Sequence, residues 1–252
     1  MRDESLIPVA DFYSGRADFP LRELQPGAIV IAGSDQRCKE ASGCLLWLGI
    51  LNDRCLISTR HELLGKVKDV VGAVSSPRRL LRSEFRDKLL ATCSDALGEG
   101  ESCSIYSGLK LACDSESLIP VEDHHVRKVT PENAGEVITK LSQEGVPDDT
   151  DYLLADDAAF AYYADNQPVS FAGTHPLGAA GLKVGNVMVA TLEPYRRRGF
   201  GKAVVAATTA RLLEQGRVAV YGTSDDNIPS IRTALSVGYR PYCRVLEVRY
   251  VD

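Results

Sequence analysis

Seven consecutive residues, Arg196-Arg197-Arg198-Gly199-Phe200-Gly201-Lys202, have the types and spacing to bind an anion. The run before them, Val187-Met188-Val189-Ala190-Thr191-Leu192, is apolar and β-branched, and predicts a buried strand. The run after them, from Ala203 through Leu212-Leu213-Glu214-Gln215, predicts a helix that stops at Gly216. A strand that turns sharply into a helix leaves the first helical amides without partners, at the positive end of the helix dipole. Gly199 and Gly201 carry no side chain, so a phosphate can approach those amides closely. Arg196, Arg197, Arg198 and Lys202 add full charge and, in the arginines, forked donors. The simplest ligand is a pyrophosphate.

Elimination narrows which pyrophosphate. The glycines lack the spacing and the Lys-Ser/Thr ending of a P-loop. Gly201 is followed by Lys202, Ala203 and Val204, so the G-x-G-x-x-G of dinucleotide folds is incomplete. Arg196, Gly199 and Gly201 together resemble the Q/R-x-x-G-x-G/A motif of the GNAT superfamily of acetyl-CoA-dependent N-acetyltransferases. A second element is similar to the late strand, Asn, helix and closing Gly-aromatic pair of that family. It is Ser224-Asp225-Asp226-Asn227-Ile228-Pro229-Ser230, then Ala234, then Val237-Gly238-Tyr239. The resemblance covers about the second half of the chain, from roughly His124 onward, and not the first half.

The resemblance implies acetyl-CoA as co-substrate, with no metal. It implies that backbone groups of Val189, Ala190 and Thr191 pair with the pantetheine arm. Arg196, Arg197, Arg198, Gly199, Phe200, Gly201 and Lys202 would hold the pyrophosphate, mostly through main-chain amides. Asn227 would contact the cofactor; taken as a residue alone, it is equally a helix cap. The implied chemistry is direct attack of a neutral amine on the thioester. It needs backbone donors for the developing oxyanion, a base for the ammonium proton and an acid for the leaving thiolate. The Ala190 amide, or one beside it, is the expected oxyanion donor.

Three family positions are changed. The Tyr that many members carry seven residues after the Asn is Ala234 here. The carboxylate common on the strand before the motif is missing, with Asn186 the polar residue there, and Glu193 stands where Pro is common. His175, in Thr174-His175-Pro176 at a strand end, is the substitute for acid–base work, since imidazole titrates near neutrality. Tyr221 and Ser224 are candidates for the thiol end. The expected reaction is acetyl transfer to a primary amine of a small molecule. One alternative is a CoA-binding sensor or interaction protein without turnover. The other is a nucleotide-binding module built on the same turn.

Composition excludes several classes. A net charge of −5 over 252 residues argues against a broad nucleic-acid-binding surface. It inclines the acceptor toward a cationic small molecule. No apolar run approaches the roughly 20 residues that span a bilayer, so no membrane partner is expected. Met1-Arg2-Asp3-Glu4-Ser5 is not followed by a signal-peptide core, and a cytoplasmic location is the expectation. Of the seven cysteines, Cys38, Cys44, Cys55, Cys93, Cys103 and Cys113 precede residue 120, without C-x-x-C spacing. That pattern fits reduced, buried thiols better than a metal site or disulfides.

These pieces need a scaffold. Strands are expected at Ala28–Gly33, Leu45–Leu51 and Arg54–Ser58, the last two joined by a turn at Asn52-Asp53. Helical spacing follows from Leu63 to Val74 and from Leu80 to Leu97, with a strand or hairpin over 103–112. Arg78, Arg79, Arg82, Arg86 and Lys88 read as a solvated helix face. The polar stretch 114–123 marks a boundary. Beyond it, Thr130-Pro131 opens a helix, 158–163 and 168–173 form a hairpin, and a last strand runs from Tyr242 to Val251. The fold class is α+β: a mixed, mostly antiparallel sheet flanked by helices over 124–252, preceded by a smaller α+β domain over 1–118. That first domain is open to three readings: a wall of the acceptor cleft, an element that makes a homodimer, or a degenerate second copy of the fold.

Overall fold

The computed structural model describes residues 24–33, 43–98, 101–175 and 184–251. Within them the elements run in order β1 (Ile29–Gly33), β2 (Cys44–Leu51), β3 (Arg54–Thr59), α1 (Leu64–Gly72), α2 (Ser83–Ser94) and β4 (Ser102–Cys113). Then come β5 (Val126–Lys128), α3 (Pro131–Leu141), α4 (Thr150–Leu154), β6 (Phe160–Ala164), β7 (Gln167–His175) and β8 (Val184–Thr191). The chain ends with α5 (Phe200–Glu214), β9 (Val218–Ser224), α6 (Ile228–Val237) and β10 (Arg240–Val251). No helix among the described residues is long and apolar enough to cross a membrane.

Two compact units divide this chain. One joins Ala10–Lys110 to Tyr242–Asp252. Its hairpin turns through Asn52 and Asp53, with φ of 43° and 62°. Such a left-handed pair matches the twist of the strands on either side. β2 pairs antiparallel with β3, and β1 runs parallel to β3. β10 lies antiparallel to β2, with Leu246 opposite Leu48. Leu48, Ile57, Leu246 and Val248 pack with Val67 of α1 and Leu89 of α2 in one core.

One sequence expectation changes here and another narrows to one of its alternatives. The last strand, assigned from sequence to the second half, pairs with β2. The expected strand or hairpin over 103–112 is one unbroken strand, β4. Six cysteines are free thiols, five of them buried; Cys38 lies outside the described residues. Burial pushes the Cys55 and Cys243 thiols well above their ordinary value, so both stay protonated and inert.

The second unit includes Leu111–Pro241. Its strands lie in the order β9-β8-β7-β6-β5. β8 and β9 are parallel and the other pairs antiparallel, which is the mixed sheet expected from the sequence. Helix α3 starts as its residues dictate, with a capping box between Thr130 and Asn133 and proline in the first turn. Val137 and Leu141 of this helix pack with Phe171 and Ala190 on one face of the sheet. Helix α5 covers the other face; Thr208 Oγ1 donates to the Ala172 carbonyl at 3.1 Å. Gly185 lets α5 come close, because a Cβ there would lie 2.5 Å from Leu212. The short helix α4 has no clear sequence signal, being five residues of mixed character.

Gly238 ends α6 with φ of 102°, and a Cβ there would lie 1.8 Å from the Ser117 carbonyl oxygen. The Ile119 amide donates to Val237 O at 2.8 Å and holds that segment in place. Gly238→Ala is therefore expected to cost about 2 kcal/mol or more, from left-handed strain plus a backbone overlap. Urea unfolding measures it, and a variant as stable as the parent would contradict this packing.

Candidate functional site

The site begins where two parallel strands part. β7 pairs with β8 from His175–Asn186 to Ser170–Thr191. β8 pairs with β9 only from Val184–Val218 to Val187–Tyr221, although both strands continue. Past the Val187–Tyr221 rung a cleft of about 680 Å³ opens. Val189, Ala190 and Thr191 line one wall, and Tyr221, Asn227 and Ser230 another.

Register decides which backbone groups face that cleft. The Leu192 amide donates to Val169 O at 3.0 Å, so Leu192 and Val169 form a hydrogen-bonded pair. Alternation makes Ala190 and Phe171 the next such pair. The Ala190 N–H thus points into β7, away from the cleft. Of the amides expected to serve the oxyanion, that of Ala190 or one beside it, register turns Val189 and Thr191 toward the cleft and not Ala190 itself. The end of β8 is held from below by fully buried Ser170, whose Oγ lies 3.0 Å from Ala190 O and 2.8 Å from Thr191 Oγ1.

After Thr191 the chain turns into α5. Arg197 has φ of 63° and Gly199, the residue before the helix, 87°. The first helical bond is Ala203 N–H to Gly199 O, at 3.1 Å. The amides of Phe200, Gly201 and Lys202 therefore precede the ladder. No side chain caps them, and no acidic residue stands in the first turn. The two glycines divide the work. A Cβ on Gly199 would meet nothing within 4 Å, so this residue supplies left-handed backbone. A Cβ on Gly201 would lie 3.3 Å from Thr191 Oγ1 and 3.8 Å from Val189 Cγ2, so this residue lets the helix sit close on β8. Phe200 lines the cleft and stacks on Tyr162, with centroids 4.1 Å apart; Tyr162 stacks in turn on His125.

The four cations of the motif also separate. Arg196 binds Glu144 through Nη2 at 2.5 Å and the Thr191 carbonyl through Nε at 3.1 Å. It fastens the turn. Arg198 leans over the Tyr195 ring at 5.4 Å and does not line the cleft. Arg197 and Lys202 line the cleft and have no ion pair among the described residues. Arg232 of α6 lines it too, equally unpaired. Sequence reasoning missed it because a single arginine in an exposed helix carries no signal of its own.

Asn227 takes the helix-cap role expected for it. Its Oδ1 accepts from the Ser230 amide at 3.2 Å and caps α6, and the residue lines the cleft. Ala234, where a family Tyr would stand, is fully buried. A different hydroxyl is present: Tyr221 Oη lies 2.8 Å from Ser230 Oγ, and both residues line the cleft. Burial pushes the Tyr221 phenol above its ordinary value, partly offset by Ser230, so the proton stays on oxygen through neutral pH. Ser224 is not on the cleft wall. His175 ends β7 opposite Asn186, and its side chain lies outside the described residues. One group of metal-type ligands occurs among the described residues: Asp123, His124 and His125, with ligand atoms within 4.8 Å of one another. None of the three lines the cleft.

Residues 131–239 match the model of the acetyltransferase (GNAT) family. No curated protein matches the chain in sequence. Among solved structures, an acetyltransferase of the GNAT family from Colwellia psychrerythraea is 15% identical, covers 65% of this chain and 61% of its own, and has a TM-score of 0.50. A GCN5-related N-acetyltransferase from Kribbella flavida is 22% identical over 60% of each chain, with a TM-score of 0.44. One from Sphaerobacter thermophilus is 10% identical over 81% of this chain and 76% of its own, with a TM-score of 0.49. The chain spans about three fifths of the length of the first two. At 15% identity the likeness to the Colwellia psychrerythraea protein is one of fold alone. In residues 131–239 the chain therefore carries a domain of the acetyltransferase (GNAT) family.

Proposed function

We propose that this domain binds acetyl-CoA in the cleft and transfers the acetyl group to a primary amine of a small molecule. One observation carries the reading. The uncapped start of α5, with Arg197 and Lys202 unpaired beside it, opens onto a cleft walled by the free edge of β8. Amides and two cations suit a pyrophosphate. From the Val187 rung to Thr191 is four residues, about 13 Å of strand. Along that edge Val189 and Thr191 offer peptide groups to the amides of an extended pantetheine chain. The thioester then lies toward the Val187–Tyr221 rung, at the closed end.

The chemistry follows from those positions. The amine nitrogen forms a bond to the acetyl carbon, and the C–S bond breaks. The Val189 N–H, turned into the cleft, stabilises the developing oxyanion. The Tyr221 phenol gives its proton to the leaving sulfur and is reprotonated through Ser230, which stands at the solvent-facing start of α6. Glu144, the one carboxylate on the cleft wall among the described residues, is taken by Arg196. His175 is the base candidate, since its backbone lies beyond the closed end of the cleft, on the side opposite the phosphate turn.

The test is free-thiol release from acetyl-CoA across a panel of polyamines, aminoglycoside-like amines, amino acids and peptides. Release that depends on one class of amine supports the reading. The buried alanine at 234 favours a second reading, a domain that binds CoA without turnover. Binding of acetyl-CoA with no release above hydrolysis for any amine would replace the first reading with the second.

A further inference from the structure

We propose that Arg232 reads the 3′-phosphate of CoA, an inference that rests on the cofactor reading above. The cleft carries more free charge than a pyrophosphate needs. Arg197 and Lys202 border the turn whose amides would take the diphosphate, while Arg232 projects from a different helix, α6. CoA has one further anionic group, a phosphomonoester on the ribose with close to two negative charges at neutral pH. Pro229, Arg232 and Thr233 are spaced i, i+3 and i+4, which puts them on one face of α6, and all three line the cleft. Pro229 offers an apolar surface for a purine. Thr233 Oγ1 is already committed to the Pro229 carbonyl at 3.0 Å. Arg232 is left as the forked donor on that face, and it has no ion pair among the described residues. An exposed arginine without a carboxylate partner contributes little to the helix, and its two parallel N–H groups match a phosphate edge.

The experiment is calorimetric titration of the full chain with CoA and with 3′-dephospho-CoA, for the parent and for Arg232→Ala. The parent is expected to prefer CoA about tenfold. Arg232→Ala is expected to lose that preference, with the whole loss falling on CoA and the 3′-dephospho-CoA affinity unchanged. Arg197→Ala, beside the turn, should lower both affinities by a similar factor. The preference should shrink as salt is raised. Two results overturn the proposal while leaving the cofactor reading intact: a parent that binds both ligands equally, or an Arg232→Ala variant that weakens both alike. A folded parent that binds neither ligand overturns the cofactor reading, and Arg232 falls with it.

Discussion

Tyr221→Phe is expected to lower kcat about a hundredfold while leaving acetyl-CoA affinity within about twofold of the parent. The substitution removes one oxygen. The ring stays edge-on against Tyr239, with centroids 5.6 Å apart, so packing at the closed end of the cleft is retained. On the proposed reading, affinity is carried at the far end, by the turn before α5, and should not notice the change. The lost proton donor should appear in kcat alone, a split that a merely structural role would not produce. Burial raises the Tyr221 pKa above its ordinary value, so the acid form persists through neutral pH and kcat should show no alkaline limb from this group there. Ser230→Ala removes the relay partner and should cost less, since solvent reaches the start of α6. A Tyr221→Phe enzyme with parental kcat would contradict the assignment.

Gly201→Val is the substitution expected to damage binding most. Even a methyl group at this position would lie 3.3 Å from Thr191 Oγ1, and valine adds two more carbons toward Thr191 and Val189. The strand is not free to yield, because Ser170 grips it at Thr191 and at the Ala190 carbonyl. The start of α5 must move instead, and with it the amides of Phe200, Gly201 and Lys202. Overpacking of this kind costs about 1–3 kcal/mol, which corresponds to roughly 5- to 160-fold; about thirtyfold in acetyl-CoA affinity is expected. Gly199→Ala meets no neighbour and should cost less, about 1 kcal/mol of backbone strain from its left-handed φ. Calorimetry of the two variants separates the roles. Equal losses, or an unaffected Gly201→Val, would contradict the division drawn between the glycines.

Local features of this chain were legible and long-range ones were not. The strand into Thr191, the turn and the helix to Gly216 all announce themselves within a few residues. So do the Thr130-Pro131 helix start and the Asn52-Asp53 hairpin, because caps, glycines and apolar period act locally. The partner of β10 is another matter. Cys44–Leu51 is a buried strand and Tyr242–Val251 a largely buried one, and nothing in either names the other. The choice between Ala190 and Val189 as donor turns on register, where one residue of slip exchanges the two sides of a strand. The three arginines are identical as letters. Only the fold sends Arg196 to Glu144, Arg198 onto Tyr195 and Arg197 into the cleft. Tyr221 gains its meaning from the rung it shares with Val187, the last before the strands part.

The central claim is that this cleft holds acetyl-CoA by its diphosphate. Calorimetric titration of the full chain with acetyl-CoA, alongside ATP and NAD, tests it most directly. Saturable binding of acetyl-CoA alone, at one site per chain and weakened by Gly201→Val, is the result expected. A folded chain that binds ATP or NAD in preference, or binds none of the three, would contradict it and leave the arginine turn as a surface feature.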